Sequence, residues 1–145
     1  MVRHGYDVWL GNNRGTTMSR KHATMDPDSD KKYWEFSFPE LGDFDMPAQV
    51  DFVREKTRAK KITYIGHSQG TTQMFYGLST NCDFWTERIN LFVALAPVVD
   101  LSNTQSTFIR WFSKTESTLG SLLWFTGKLE LFKKGAINYN DSGIC

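Results

Sequence analysis

A β-branched run, Ile62-Thr63-Tyr64-Ile65, runs directly into Gly66-His67-Ser68-Gln69-Gly70, and the segment Gln69 to Ser79 then carries helical spacing at Met74, Phe75 and Leu78. Strand, tight turn, helix is the local order. The turn fits G-x-S-x-G, a pattern whose strand-before, helix-after context lifts a serine hydroxyl above a sheet edge. A serine there takes strained backbone angles, and the residues two before and two after it come too close for side chains, so glycine is expected at both. Residue frequencies give the bare pattern by chance in roughly 5% of chains this long, so the flanking strand and helix carry the identification. Ser68 is the candidate nucleophile. The backbone N–H of Gln69, at the helix start, is the candidate donor to an oxyanion formed when an ester carbonyl is attacked.

The rest of the chain surrounds this turn with alternating elements. Tyr6-Asp7-Val8-Trp9-Leu10 reads as a short, mostly buried strand stopped by Gly11-Asn12-Asn13. Residues 11–33 form a long polar stretch, read as a surface excursion, and Trp34, Phe36 and Phe38 then alternate with polar residues. Asp45 is positioned to cap a helix whose first turn tolerates Pro47, with Met46, Val50 and Val53 recurring on one face up to about Arg58. After a polar interval from Asn81 to Arg88, Ile89 to Ala96 is a continuous apolar run of strand length ended by Pro97. Strands separated by amphipathic helices imply a parallel sheet with helices on its faces, so the class is α/β. Beyond Asp100 the three- and four-residue spacing of Phe108, Phe112, Leu119, Leu122, Leu123, Phe125, Leu129 and Phe132 predicts two very apolar helices.

Composition excludes several functions. Seventeen Lys+Arg against 16 Asp+Glu leave a net charge of +1, and the scattered lysine pairs make no basic stripe, so nucleic acid is not expected as a partner. The longest apolar run, Leu91 to Val99, is too short to span hydrocarbon, and Arg3, His4 and Asp7 interrupt any leader-like segment. Cys82 and Cys145 have no metal-ligand spacing, and no metal is expected.

A nucleophilic serine needs an imidazole to take its proton and a carboxylate to orient that imidazole. In hydrolases with this turn the order along the chain is serine, acid, histidine. Here His4, His22 and His67 all precede Ser68. His67 is adjacent to Ser68 on a sharp turn and is expected to project elsewhere. Asp100, just past the end of the strand that follows Ser68, stands where a triad acid can, although a cap or turn is the leading reading for it.

These residues resemble a known family, the acid lipases, which include the lysosomal, gastric and lingual lipases. Gly5-Tyr6-Asp7-Val8-Trp9-Leu10-Gly11-Asn12-Asn13-Arg14-Gly15 is similar to the family's stretch before its long loop. Pro27-Asp28-Ser29, Trp34 to Phe38 and Asp45-Met46-Pro47-Ala48 resemble the segments that follow. Gly66-His67-Ser68-Gln69-Gly70-Thr71-Thr72 is similar to the family's serine turn, and Ala94 to Val98 to the next strand. The resemblance implies an α/β-hydrolase fold: an incomplete parallel-sheet core over residues 1–100 and the start of a helical cap over 101–145. It implies a lipid ester hydrolase acting on triacylglycerols or sterol esters through an acyl-serine on Ser68, with Gln69 as oxyanion donor and no cofactor. The family's acid and base fall on later segments, so this chain is read as a portion of such an enzyme and is expected to be inactive alone. A sheet of this extent leaves unpaired edges and uncovered apolar faces. The alternative is a non-catalytic remnant that binds lipid or protein. The expected partner is a neutral lipid ester; Trp111, Phe112, Leu122, Leu123, Trp124 and Phe125 are candidates for lipid-interface contact, with ordinary packing the leading reading. The family implies a lysosomal or secreted location, and Asn140-Asp141-Ser142 is a glycosylation acceptor sequence that fits it.

Overall fold

The computed structural model describes residues 1–100 and 103–107. The expected cap helices, from Phe108 onward, lie outside the described residues. The chain falls into two compact units, one made of Met1–Arg14 and Phe36–Leu101, the other containing Gly15–Glu35.

The first unit is built on two strands, β1 (Ile62–His67) and β2 (Ile89–Leu95), paired in parallel from Ile62 opposite Ile89 to His67 opposite Leu95, with one irregularity after Ile62. Parallel neighbours require a crossover, and two helices supply it: α3 (Gln69–Thr80) and α4 (Cys82–Thr86). Before them come a short α1 (Phe38–Glu40), a π turn (Leu41–Asp45) and α2 (Met46–Thr57). The α/β class and the parallel pairing are as the sequence predicts. The polar interval after α3 differs: it holds α4, started by Asn81, whose Oδ1 accepts the Phe84 N–H at 3.2 Å.

The core of this unit joins α2, α3 and α4. Met46, Val50, Met74 and Trp85 are fully enclosed, and Ile62, Tyr64, Leu78, Phe84, Ile89 and Phe92 pack around them. Met46, Val50 and the half-buried Val53 are the face predicted for α2. Gly77 is buried beneath the Trp85 ring: a Cβ there would stand 2.5 Å from Nε1. Phe92 joins the layers, 5.2 Å edge-on from Phe75 and 5.8 Å from Tyr64. The strands are apolar on both faces, as in sheets covered on both sides. Among the described residues one face is covered, and Ile65, Leu91 and Leu95 remain exposed.

Residues 6–10 correct the sequence reading. They form no regular element, no strand pairs with them among the described residues, and Tyr6 and Leu10 are 64% and 88% exposed. Aromatic and β-branched residues favour a strand only when a neighbour completes the ladder. Side chains anchor the segment instead: Trp9 meets Phe52 edge-on at 6.0 Å, and Gln49 Nε2 donates to Asn12 O at 3.1 Å.

Asp45 is a second correction. It precedes α2 without capping it, because the π turn is already helical and delivers Met46 N–H to Leu41 O. The carboxylate instead holds Arg14: Oδ2 accepts the Arg14 backbone N–H at 2.7 Å, and Oδ1 accepts Nε at 2.7 Å and Nη2 at 2.6 Å. Asp45→Asn is expected to lower stability by about 2 kcal/mol, the scale for hydrogen bonds to a charged group. In urea denaturation the losses from Asp45→Asn and Arg14→Ala should be strongly non-additive; additive losses would show that the Arg14–Asp45 contact adds nothing to stability.

The second unit's described part is ordered by its own polar groups. Gly15, at φ 79°, opens a turn closed by its N–H on Ser19 O at 3.1 Å. Trp34 Nε1 donates to Pro27 O at 2.9 Å, Arg20 pairs with Asp28 at 2.8 Å, and Tyr33 is buried. The long polar stretch is thus a compact loop ending in a 3-10 turn over Lys31–Trp34; Trp34 and Phe36 are half-buried while Glu35, Ser37 and Phe38 are exposed.

Candidate functional site

The β1 strand delivers its last residue, His67, opposite Leu95, and the next residue is Ser68 at φ 52°, ψ −118°. Of the described non-glycine residues, Arg58, Ser68 and Ala96 have positive φ. Arg58 ends α2 and needs no further explanation, since helices commonly stop on a left-handed residue. Ser68 and Ala96 (φ 46°) directly follow the paired ends of β1 and β2, so both strained residues stand on the carboxyl edge of the sheet. Such conformations cost of order 1–3 kcal/mol each and cluster at functional sites. The carboxyl edge of parallel strands is also where α/β folds bind ligands.

Ser68 occupies the cap position of α3, where serine ordinarily turns its hydroxyl onto the helix N–H groups. It does not do so here: its side chain makes no capping bond. Ser68 is exposed, and the helix start is held by backbone and by other residues. The Ser68 N–H donates to Leu95 O at 3.0 Å. The Ser68 carbonyl accepts twice from Thr71, from its N–H at 2.9 Å and its Oγ1 at 2.6 Å. Tyr64 Oη donates to Gly70 O at 3.0 Å. Burial pushes the Tyr64 phenol above its usual range, which keeps it a protonated donor.

The two glycines of the motif differ. A Cβ on Gly66 would lie 2.8 Å from Gly70 C and O and 3.0 Å from Thr71 N, all backbone, so glycine is required there for space. A Cβ on Gly70 would meet only Tyr64 Oη at 3.5 Å, an ordinary contact. The expectation of crowding at both positions therefore holds at Gly66 and fails at Gly70, because the close approach is of Gly70's backbone to residue 66 and is not reciprocal.

Gln69 is the first residue of α3 and has no carbonyl one turn back to take its N–H, one of the orphan donors of a helix start. A hydroxyl and an orphan amide thus sit on consecutive residues at the sheet edge, the two groups that acyl transfer through serine requires. His67 is exposed at the end of β1, and Asp100 is exposed in irregular chain after β2. His22 lies in the second unit, where its Nδ1 accepts the N–H groups of Thr24 and Met25 at 3.2 and 3.0 Å. Among the described residues no group of His, Cys, Asp or Glu is arranged to hold a metal ion, and no helix is long and apolar enough to cross a membrane.

Sequence reasoning missed Tyr64, Thr71 and Thr72. Thr71 is fully enclosed, and its Oγ1 also accepts the Val98 N–H at 3.0 Å, while Thr72 Oγ1 donates to Val98 O at 2.8 Å. A signal was present: two β-branched hydroxyl residues in a helical first turn are poor helix formers, and local rules are broken where a site requires it.

A parallel sheet edge carrying a strained serine between strand and helix defines the α/β hydrolases, and the chain belongs to that family: the alpha/beta hydrolase fold model matches residues 2–129. Within it the chain is similar to lipases of the acid type. It is 52% identical to human (Homo sapiens) lipase member K over 102 residues, 70% of this chain and 25% of that protein. It is 44% identical to human lipase member J over 142 residues, covering 97% and 37%. It is 51% identical to mouse (Mus musculus) gastric triacylglycerol lipase over 104 residues, covering 72% and 26%. The chain thus spans from a quarter to just over a third of the length of these relatives.

Proposed function

We propose that this chain carries the nucleophile portion of a lipid ester hydrolase. The single observation that supports it best is Ser68 itself: an exposed serine, left-handed at a helix start, whose hydroxyl is not spent on capping. In this reading Ser68 Oγ gives its proton to a base and bonds to the ester carbonyl carbon, and the Gln69 N–H holds the oxyanion. The alcohol then leaves with a proton, and water releases the acid from the acyl-serine. The name of the mouse relative favours triacylglycerol, with sterol esters as the neighbouring class. Residues 1–100 would form part of the hydrolase core and residues 101–145 the start of a cap that contacts the lipid interface. A lysosomal or secreted setting fits that substrate class.

A second reading, a non-catalytic remnant that binds lipid or protein, rests on the histidines. All three precede Ser68, and His22 Nδ1 is committed to two backbone amides. Fluorophosphonate labelling followed by intact mass, on this chain and on Ser68→Ala, separates the two. An adduct that disappears in Ser68→Ala would mean that a base is recruited from His4, His22, His67 or a second chain and that this chain is an enzyme in its own right. An adduct that persists in Ser68→Ala would remove Ser68 as nucleophile. Soluble, folded chain that takes no label would mean that lipase describes the complete enzyme, while this chain alone is inert.

A further inference from the structure

We infer that Thr71 is a positioning residue that aims the oxyanion donor of this site, with Thr72 bracing it; the inference rests on the reading of Ser68 as nucleophile. The argument starts from the peptide group between Ser68 and Gln69. It is planar and trans, so its C=O and N–H point in opposite directions, and fixing one fixes the other. The Ser68 carbonyl, at the start of α3, is held by Thr71 through N–H at 2.9 Å and through the only side-chain bond it accepts among the described residues, from Oγ1 at 2.6 Å. The Gln69 N–H is therefore aimed away from Thr71 by bonds that Thr71 makes.

Thr71 is itself immobilised. It is 0% exposed, and its hydroxyl, while donating to Ser68 O, accepts the Val98 N–H at 3.0 Å. Val98 is gripped a second time, because Thr72 Oγ1 donates to its carbonyl at 2.8 Å. A closed circuit results. From Ser68 N–H it passes to Leu95 O at 3.0 Å, along the chain through strained Ala96 and Pro97 to Val98, and through the Thr71 hydroxyl back to the Ser68 carbonyl. Both peptide planes of Ser68 are tied to the segment after β2, and φ 52°, ψ −118° is the conformation that satisfies both ties. A buried hydroxyl with one donor and two acceptor sites suits this junction, and valine, of the same shape, has neither.

The test compares the full chain with Thr71→Val, Thr71→Ser and Thr72→Val. Fluorophosphonate kinetics separate the maximal labelling rate from the half-saturating concentration. Thr71→Val is expected to lower the maximal rate by about tenfold to a hundredfold, below or near the loss from removing an oxyanion donor, with half-saturation unchanged. Thr71→Ser, which keeps the hydroxyl, should restore the rate to within about threefold, and Thr72→Val should give a smaller loss of about three- to tenfold. Equal labelling in Thr71→Val and the unaltered chain overturns the inference, as does a loss that serine does not rescue. Amide NMR of the same proteins reads the geometry without any reaction. The Gln69 and Val98 amide resonances should shift in Thr71→Val and return in Thr71→Ser, and Val98 N–H exchange should accelerate at least about tenfold relative to the Ile65 and Val93 amides of the ladder. If the unaltered chain takes no label, as expected of a chain without its base, the amide resonances alone decide, and an unmoved Gln69 resonance overturns the aiming role; an adduct that persists in Ser68→Ala is what removes the nucleophile reading. If Thr71→Val loses the ladder itself, the comparison passes to Thr71→Ser and Thr72→Val. There a displaced Val98 amide in Thr72→Val supports the circuit, and an unchanged one overturns it.

Discussion

Gly66→Ala is expected to cost about 2–3 kcal/mol, the range for forcing extra atoms into closed space, and to reduce fluorophosphonate labelling of Ser68 by about a hundredfold if the oxyanion amide is displaced. The added Cβ would meet Gly70 C and O at 2.8 Å and Thr71 N at 3.0 Å, and none of these atoms belongs to a side chain that can swing away. They are also held from behind. Gly70 O accepts the Tyr64 hydroxyl at 3.0 Å, and Thr71 N donates to Ser68 O at 2.9 Å. Relief requires the first turn of α3 to move off the sheet, and that turn carries both Ser68 and Gln69. Gly70→Ala is the control, since its Cβ reaches only Tyr64 Oη at 3.5 Å and alanine is the better helix former. It should be neutral or stabilising by up to about 1 kcal/mol. Urea denaturation and labelling rates on the two variants decide the matter. A Gly66→Ala protein as stable and reactive as Gly70→Ala would show that the close contact at residue 66 is easily relaxed.

The contrast shows how far the sequence speaks. The pattern placed the serine on a strand-to-helix turn, and β1, α3 and β2 lie within one or two residues of where β-branched runs and helical spacing predict them. These elements were legible because each has a period or an apolar run long enough to name its structure. What the pattern treated as one rule for two glycines divides into a steric requirement at Gly66 and tolerance at Gly70, since only three-dimensional proximity says whose backbone approaches whom. Asp45 shows the same limit: a carboxylate before a helix suggests a cap, and only the fold shows Arg14, distant in sequence, occupying both its oxygens. Residues 6–10 have strand-forming side chains and no ladder among the described residues, because pairing depends on a neighbour that local sequence does not specify. Thr71 and Thr72 stand out in sequence only as poor helix formers, and the bonds they make were not legible, for a related reason. Their partners are Ser68 and Val98, and a circuit through hydrogen bonds leaves no periodic trace.

Trp85→Ala is expected to have the largest effect on folding, about 3–5 kcal/mol. Among the described residues the buried apolar set is Tyr33, Leu41, Met46, Val50, Met74 and Trp85, and Trp85 is the largest of them at 2% exposed. Its ring closes the space between α3 and α4. Gly77 lets it lie against the α3 backbone, Met46 and Val50 approach from α2, and Phe84 packs edge-on at 4.9 Å. A domain of this size holds only about 5–15 kcal/mol of net stability, so the variant is expected to unfold at far lower urea concentration. Gly77→Ala should reproduce part of the loss, because a Cβ there stands 2.5 Å from Nε1 of a rigid, enclosed ring. Combined with Trp85→Phe it should cost less than the sum of the two, since the smaller ring vacates the space the new methyl needs. A loss under about 1 kcal/mol for Trp85→Ala would mean that the pocket collapses around the deletion. The two large effects also differ in kind. Trp85 sits toward the end of the crossover remote from the serine turn, so the folded fraction of Trp85→Ala should label at an undiminished rate. Gly66→Ala should impair labelling even where it is fully folded. That separation distinguishes the residues that keep the unit folded from those that hold Ser68 and Gln69 in place at its edge.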